Sequence, residues 1–138
     1  MTFEGCRKAA SVDLRTDRDV AMARGVVAKV MKGEGANTLM QTRFVTAVSE
    51  IARNAVKHGG GGRLDVFLLP RDRSVGVECR DRGTGIANLP EAMTDGFSTG
   101  DSMGRGLGGA QRLTSTFEIE NAPGGGTVVR MTGKLQRR

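Results

Sequence analysis

The sequence predicts an α+β fold, a two-layer sandwich in which a mostly antiparallel sheet carries helices on one face. Three observations predict it. Apolar residues recur at helical spacing through the first 58 residues, they alternate at strand spacing through most of the remainder, and 16 of the 21 glycines fall between Gly59 and Gly126. Short glycine-rich and polar turns between successive strand patterns favour antiparallel neighbours.

The elements follow in order. Thr16 with Asp19 has the form of a capping box, and Val20, Ala23, Val27 and Val30 continue at helical spacing until Gly33. Thr38 with Gln41 opens a second helix, where Met40, Phe44, Val48, Ile51, Ala52 and Ala55 make one stripe that Gly59 ends. Leu64, Val66 and Leu68 alternate along a first strand, and Pro70, Arg71, Asp72 and Arg73 make a turn. Val75, Val77 and Cys79 alternate along its partner, which ends at Arg80 and Asp81. A glycine-rich loop, a short helix near residues 89–94 and a polar linker reading FSTGDSMGR come next, and residues 107–115 can be helical. Phe117 and Ile119 begin a strand, PGGG turns it, and Val129, Met131 and Leu135 lie on the last one.

Composition bounds the possibilities. A length of 138 residues suits one domain, 1–138, and Val, Leu, Ile and Phe make up 30 of them, enough for a single modest core. No apolar run approaches the roughly 18 residues of a membrane span, and the N-terminal stretch lacks the apolar core of a secretory signal, so a cytoplasmic protein is expected. Cys6 and Cys79 have no metal-ligand spacing and are too few for a disulfide framework. The net charge of +6 suits an acidic protein partner or a nucleotide; nucleic acid is not expected, because Trp and Tyr are absent and five Phe offer little to stack on.

Three constellations carry chemistry. Glu50 and Asn54 stand one turn apart on the long helix and His58 continues their row, which borders the apolar stripe. A carboxylate and an amide there need partners; a helix-edge hydrogen bond between them would serve, and His58 would suit a C-terminal cap. Asp81 shares a strand face with Val75, Val77 and Cys79, and Gly83 and Gly85 beyond it clear room for a flat group bearing an exocyclic amine, such as adenine. An Asx turn closed by glycines would have the same pattern. The run Gly104, Arg105, Gly106, Leu107, Gly108, Gly109 opens an apparent helix, where free N–H groups and Arg105 suit phosphate oxygens. It spells G-x-G-x-x-G, but no strand precedes it, which removes a dinucleotide-binding βαβ unit; the Walker A pattern is absent.

Taken in this order, from Glu50 to Gly126-Thr127, the motifs resemble the Bergerat ATP-binding fold of the gyrase, heat-shock, histidine-kinase and mismatch-repair (GHKL) superfamily. The resemblance implies ATP and Mg²⁺ as cofactors. It makes Glu50 the catalytic carboxylate and Asn54 the residue that holds the metal, with Asp81 taking the adenine amino group. It also implies nucleotide contacts from His58, Gly83, Gly85, Ile86, Gly104, Arg105, Gly106, Leu107, Gly108 and Thr127, and a lid over residues 86–103. Within the superfamily the stretch 95–100 and the run from Gly106 to Leu113 are similar to the RsbT-type switch kinases, a stand-alone bacterial serine/threonine kinase branch that controls anti-sigma and STAS-domain partner switches. That implies a STAS-domain antagonist as substrate, a PP2C-type phosphatase regulator as a further partner, and a monomer or homodimer. Glu50 would accept the proton of an incoming Ser or Thr while the metal and phosphate donors neutralise charge. The alternative is a non-catalytic, ATP-dependent module that sequesters a protein partner.

Overall fold

The residues ahead of the first helix form a strand that the sequence pattern does not show. The computed structural model describes residues 2–58, 60–83 and 107–135. In chain order the elements are β1 (Arg7–Leu14), α1 (Asp17–Gly33), α2 (Thr38–Lys57), β2 (Gly62–Leu69), β3 (Ser74–Asp81), α3 (Leu107–Arg112), β4 (Thr116–Asn121) and β5 (Thr127–Lys134). The five strands make one sheet in the order β1-β2-β3-β5-β4, and all four pairings are antiparallel. The expected helix near 89–94 and the lid over 86–103 lie outside the described residues.

β1 departs from the expectation of two helices in the first 58 residues. Only Val12 and Leu14 of its eight residues are buried, and the register slips between Lys8 and Ala10, so strict alternation is lost. Among the described residues it is an edge strand, paired with β2 alone. The helices begin close to where they are expected. Asp19 reaches back to accept the Thr16 N–H at 3.0 Å and the Arg15 N–H at 2.8 Å, and these two backbone donors hold its carboxyl below the ordinary carboxylate value. At α2 the cap is Asn37 rather than Thr38, its side-chain oxygen accepting the Met40 N–H at 2.9 Å.

Register places the core. Leu64 faces Cys79, Val66 faces Val77 and Leu68 faces Val75, while Val77 and Cys79 face Met131 and Val129 on β5. These side chains meet Val27 and Met31 of α1 and Phe44, Val48, Ile51 and Ala52 of α2 in one apolar cluster. The opposite face carries charge. Asp65 faces Glu78, which faces Arg130, and Arg130 bonds Glu78 at 2.7 Å and Glu120 at 2.8 Å. Near β1 this face also holds Phe3, buried over Gly76 and stacked on Phe67 with ring centroids 5.1 Å apart. Among the described residues no helix is long and apolar enough to cross a membrane.

Candidate functional site

The C-terminal end of α2 brings the first constellation to the sheet. Glu50 and Asn54 are both half-buried, as their place beside the apolar stripe requires. The carboxylate's partner is Arg53, which sequence reasoning missed: its Nη1 lies 3.2 Å from Glu50 Oε1, and its Nη2 donates to the buried Ser49 Oγ at 3.3 Å. The pattern offered Arg53 only as a charge three residues along the helix, a spacing that permits such a pair without requiring it. His58 is the C-cap, and its backbone N–H donates to Asn54 O at 2.8 Å.

Glycines then fold the chain back onto this end. The Gly61 N–H donates to Ala55 O at 2.8 Å, and Gly61 O accepts the Arg82 N–H at 3.0 Å. The last turn of α2 is thereby tied through one residue to the segment that follows β3. Asp81 ends β3 with its side chain at the same junction. Its Oδ1 accepts the Gly83 N–H at 3.0 Å and the Thr127 N–H of β5 at 2.9 Å. The bond to Gly83 is the Asx turn that the sequence left open, and the bond to Thr127 is a second anchor that no local pattern contains. Both fall on one oxygen, so among the described residues Oδ2 carries no bond.

The turn before β5 sets that anchor. Gly126 has φ +87°, and a Cβ there would clash with Asp81 O and come within 3.3 Å of Asp81 Oδ1. Only glycine lets the backbone pass this close to the carboxylate. Below Asp81 on the same strand face, burial pushes the Cys79 thiol up to about 12, with the Asp81 carboxylate adding to the shift. The thiol is therefore protonated near neutrality and acts as an apolar wall.

α3 packs against α2, with Leu107, Gly108 and Ala110 buried and Arg43 Nη2 donating to Arg112 O at 3.3 Å. The structure thus joins Asp81, Gly83 and Thr127 at the end of β3 and the start of β5. It ties that junction through Gly61 to the last turn of α2, the helix that carries Glu50, Asn54 and the cap His58, and sets α3 with Leu107 and Gly108 against α2. Gly85, Ile86, Gly104, Arg105 and Gly106 lie outside the described residues.

The donor set fits a purine nucleotide. A fixed carboxylate whose second oxygen is unbonded among the described residues can accept an exocyclic amine, and Gly126 lets the backbone of β5 hold the first oxygen. An amide and a carboxylate one turn apart can serve a hard divalent cation that retains waters and phosphate ligands.

Comparisons with known proteins give the family of the chain. Residues 14–133 match the family described as the histidine kinase-like ATPase domain. The chain is 34% identical over 120 residues to serine/threonine-protein kinase RsbT of Bacillus subtilis, covering 86% of this chain and 90% of that protein. It is 32% identical over 98 residues to the anti-sigma F factor of Caldanaerobacter subterraneus, covering 67% of this chain and 68% of that protein. It is 31% identical over 103 residues to the anti-sigma F factor of Bacillus licheniformis, covering 70% of each.

Proposed function

The chain belongs to the histidine kinase-like ATPase family, and from that premise we propose that it is an ATP-dependent serine/threonine protein kinase of a partner-switching pathway whose substrate is a STAS-domain protein. One observation carries the reading: Glu50 and Asn54 stand one turn apart on α2, and Gly61 ties the last turn of that helix to the segment after Asp81. Asp81 Oδ2 receives the adenine amino group, and Thr127 and Gly83 keep the carboxylate in place. Asn54 would hold Mg²⁺ through its amide oxygen, and His58, Leu107 and Gly108, with residues 85–86 and 104–106, would complete the nucleotide contacts. Bound Mg·ATP supplies the phosphoryl group and neutralises its charge.

The chain's own part is to orient and to move one proton. Glu50 accepts the proton of the incoming Ser or Thr hydroxyl, which leaves its oxygen free to attack. To do so the carboxylate gives up part of its bond to Arg53, a pair exposed enough for that exchange to cost about 0–1 kcal/mol. A PP2C-type phosphatase regulator is a second partner on this reading, and the active species is a monomer or a homodimer.

The Glu50–Arg53 pair also favours a second reading, in which the carboxylate is only structural and the protein holds a partner in an ATP-dependent complex. Coexpression with candidate STAS-domain proteins from the same genome, followed by intact-mass measurement, separates the two. A partner heavier by one phosphoryl group supports the kinase. An unmodified partner in an ATP-dependent complex supports the binding module.

A further inference from the structure

The exposed face of α2 continues well beyond the residues that serve the nucleotide. Leu39, Arg43, Thr46, Glu50, Arg53 and Lys57 recur at intervals of four and three residues, which places them on one side of the helix. Leu39 is 61% exposed, one of two large apolar residues left so open among the described residues, and Arg43, Thr46 and Lys57 are exposed as well. Glu50 is the single acid on this face, against three cations.

At its far end this face borders a cavity of about 250 Å³, lined by Leu39, Met40, Phe44 and Leu113 with Arg43 and Lys134 at its rim. Among the described residues no acid lines it. Gly133 forms part of its floor, because a Cβ there would meet the Phe44 ring at 2.5 Å. Asn37, Thr114 and Ser115 add neutral polar groups. A partly apolar slot whose only charged lining residues are cations is complementary to an apolar side chain flanked by carboxylates. The residues that follow Leu135 are the wrong occupant by charge, since Arg137 and Arg138 come within three positions.

We propose that this groove and the exposed face of α2 are the docking surface for the protein substrate, which seats an acidic, apolar-tipped segment between Leu39, Leu113 and Lys134. The inference rests on the kinase reading above and adds where the substrate binds. Leu39 and Glu50 are 11 residues apart on one helix, about 17 Å along its axis. A folded domain of about 100 residues has a radius of gyration near 13 Å, so one domain seated in the groove reaches the carboxylate. Binding energy collected at the groove holds the partner on the kinase equally before and during transfer, so it lowers KM without touching the reacting atoms. A short peptide around the acceptor residue lacks that contact and is a poor substrate.

The test uses the full chain, a STAS-domain protein from the same genome chosen by coexpression for modification by the chain or ATP-dependent complex formation with it, and radiolabelled ATP. Leu39→Asp and Lys134→Glu each alter an exposed side chain outside the nucleotide site. Each is expected to raise KM for the protein substrate about tenfold or more, with kcat and ATP affinity unchanged. The wild-type KM should rise with added salt. Wild-type KM in both variants overturns the docking surface and leaves the kinase reading standing. Loss of ATP affinity in parallel with KM also overturns it, because the effect then acts through the nucleotide. A wild-type chain that binds the partner without modifying it, with binding lost in both variants, supports the surface and removes the kinase reading. If the chain alone sediments as a dimer that Leu39→Asp dissociates, and KM does not change, the face belongs to a second copy and the proposal fails. Absence of both binding and modification overturns surface and kinase together.

Discussion

The two carboxylates of the site are held in different ways. Asp81 is fixed by backbone: two N–H groups, from Gly83 and from Thr127 across the sheet, bond the same oxygen, and Gly126 lets β5 approach. Glu50 is held by a side chain, with Arg53 half-open to solvent and shared with Ser49. Backbone donors cannot rotate away, whereas a guanidinium on a flexible stem can. The sheet side of the site is therefore set before a ligand arrives, which suits the proposed recognition of a flat base. The helix side can exchange one partner for another, which suits the proton transfer proposed for Glu50. Asp81 should govern which nucleotide binds and Glu50 what happens after it has bound.

The largest effect should come from Glu50. Glu50→Gln preserves shape and removes the charge, and is expected to cut phosphoryl transfer by roughly 10²–10⁴-fold while ATP affinity stays near wild type. Asn54→Ala should instead lower Mg·ATP affinity and transfer together. Transfer assays and calorimetry run on both variants read this difference. A Glu50→Gln chain that phosphorylates at the wild-type rate would remove the distinction between the two carboxylates.

Gly126→Val attacks the anchor of Asp81. The side chain enters at φ +87° against Asp81 O, so both strain and overlap oppose it. The expected loss is about 3 kcal/mol of folding stability, read by denaturant unfolding. Ala122→Val, at the other end of the same turn, is the control: Ala122 is half-buried and has no positive φ, so the larger side chain meets no backbone strain there.

Much of this was legible in the sequence because it is periodic. The stripe from Phe44 to Ala55 and the alternation from Leu64 to Cys79 are burial patterns, and Asp81 took its inward direction from the second of them. β1 was not legible, since an edge strand with two buried residues and a slipped register leaves no period to read. Asn37 and Thr38 are both good caps, so the one-residue error at α2 is a choice that backbone geometry makes. The bond from Thr127 to Asp81 joins residues 46 apart, and Arg53 meets Glu50 through a rotamer; neither leaves a local trace. Phe3 on Phe67 was hidden for the same reason.

Asp81→Asn sharpens the recognition half. The remaining carbonyl oxygen still accepts from Gly83 and Thr127, so the junction survives, but the second oxygen becomes an amino group facing the amine of adenine. ATP binding should weaken by about 1–3 kcal/mol in calorimetry while GTP, which lacks that amine, changes less. Equal losses for ATP and GTP would mean that Asp81 supports the fold without reading the base.

The smallest effect on stability, and the finest test of the comparison, is at Arg53. Its ion pair to Glu50 joins side chains 41% and 37% exposed, so Arg53→Ala should cost at most about 0–1 kcal/mol of stability. Transfer should respond differently from stability. Without Arg53 the carboxylate has no fixed orientation, and kcat should fall several-fold with ATP affinity unchanged. Arg53→Lys keeps the charge but not the fork that spans Glu50 and Ser49, so it should recover only part of the rate. Glu50→Gln combined with Arg53→Ala then forms a cycle. If Arg53 acts through Glu50, its removal has no further effect on transfer once the carboxylate is gone. Additive losses in the double variant would show that Arg53 touches the transferred group or the partner directly, and that the helix side of the site is as preset as the sheet side.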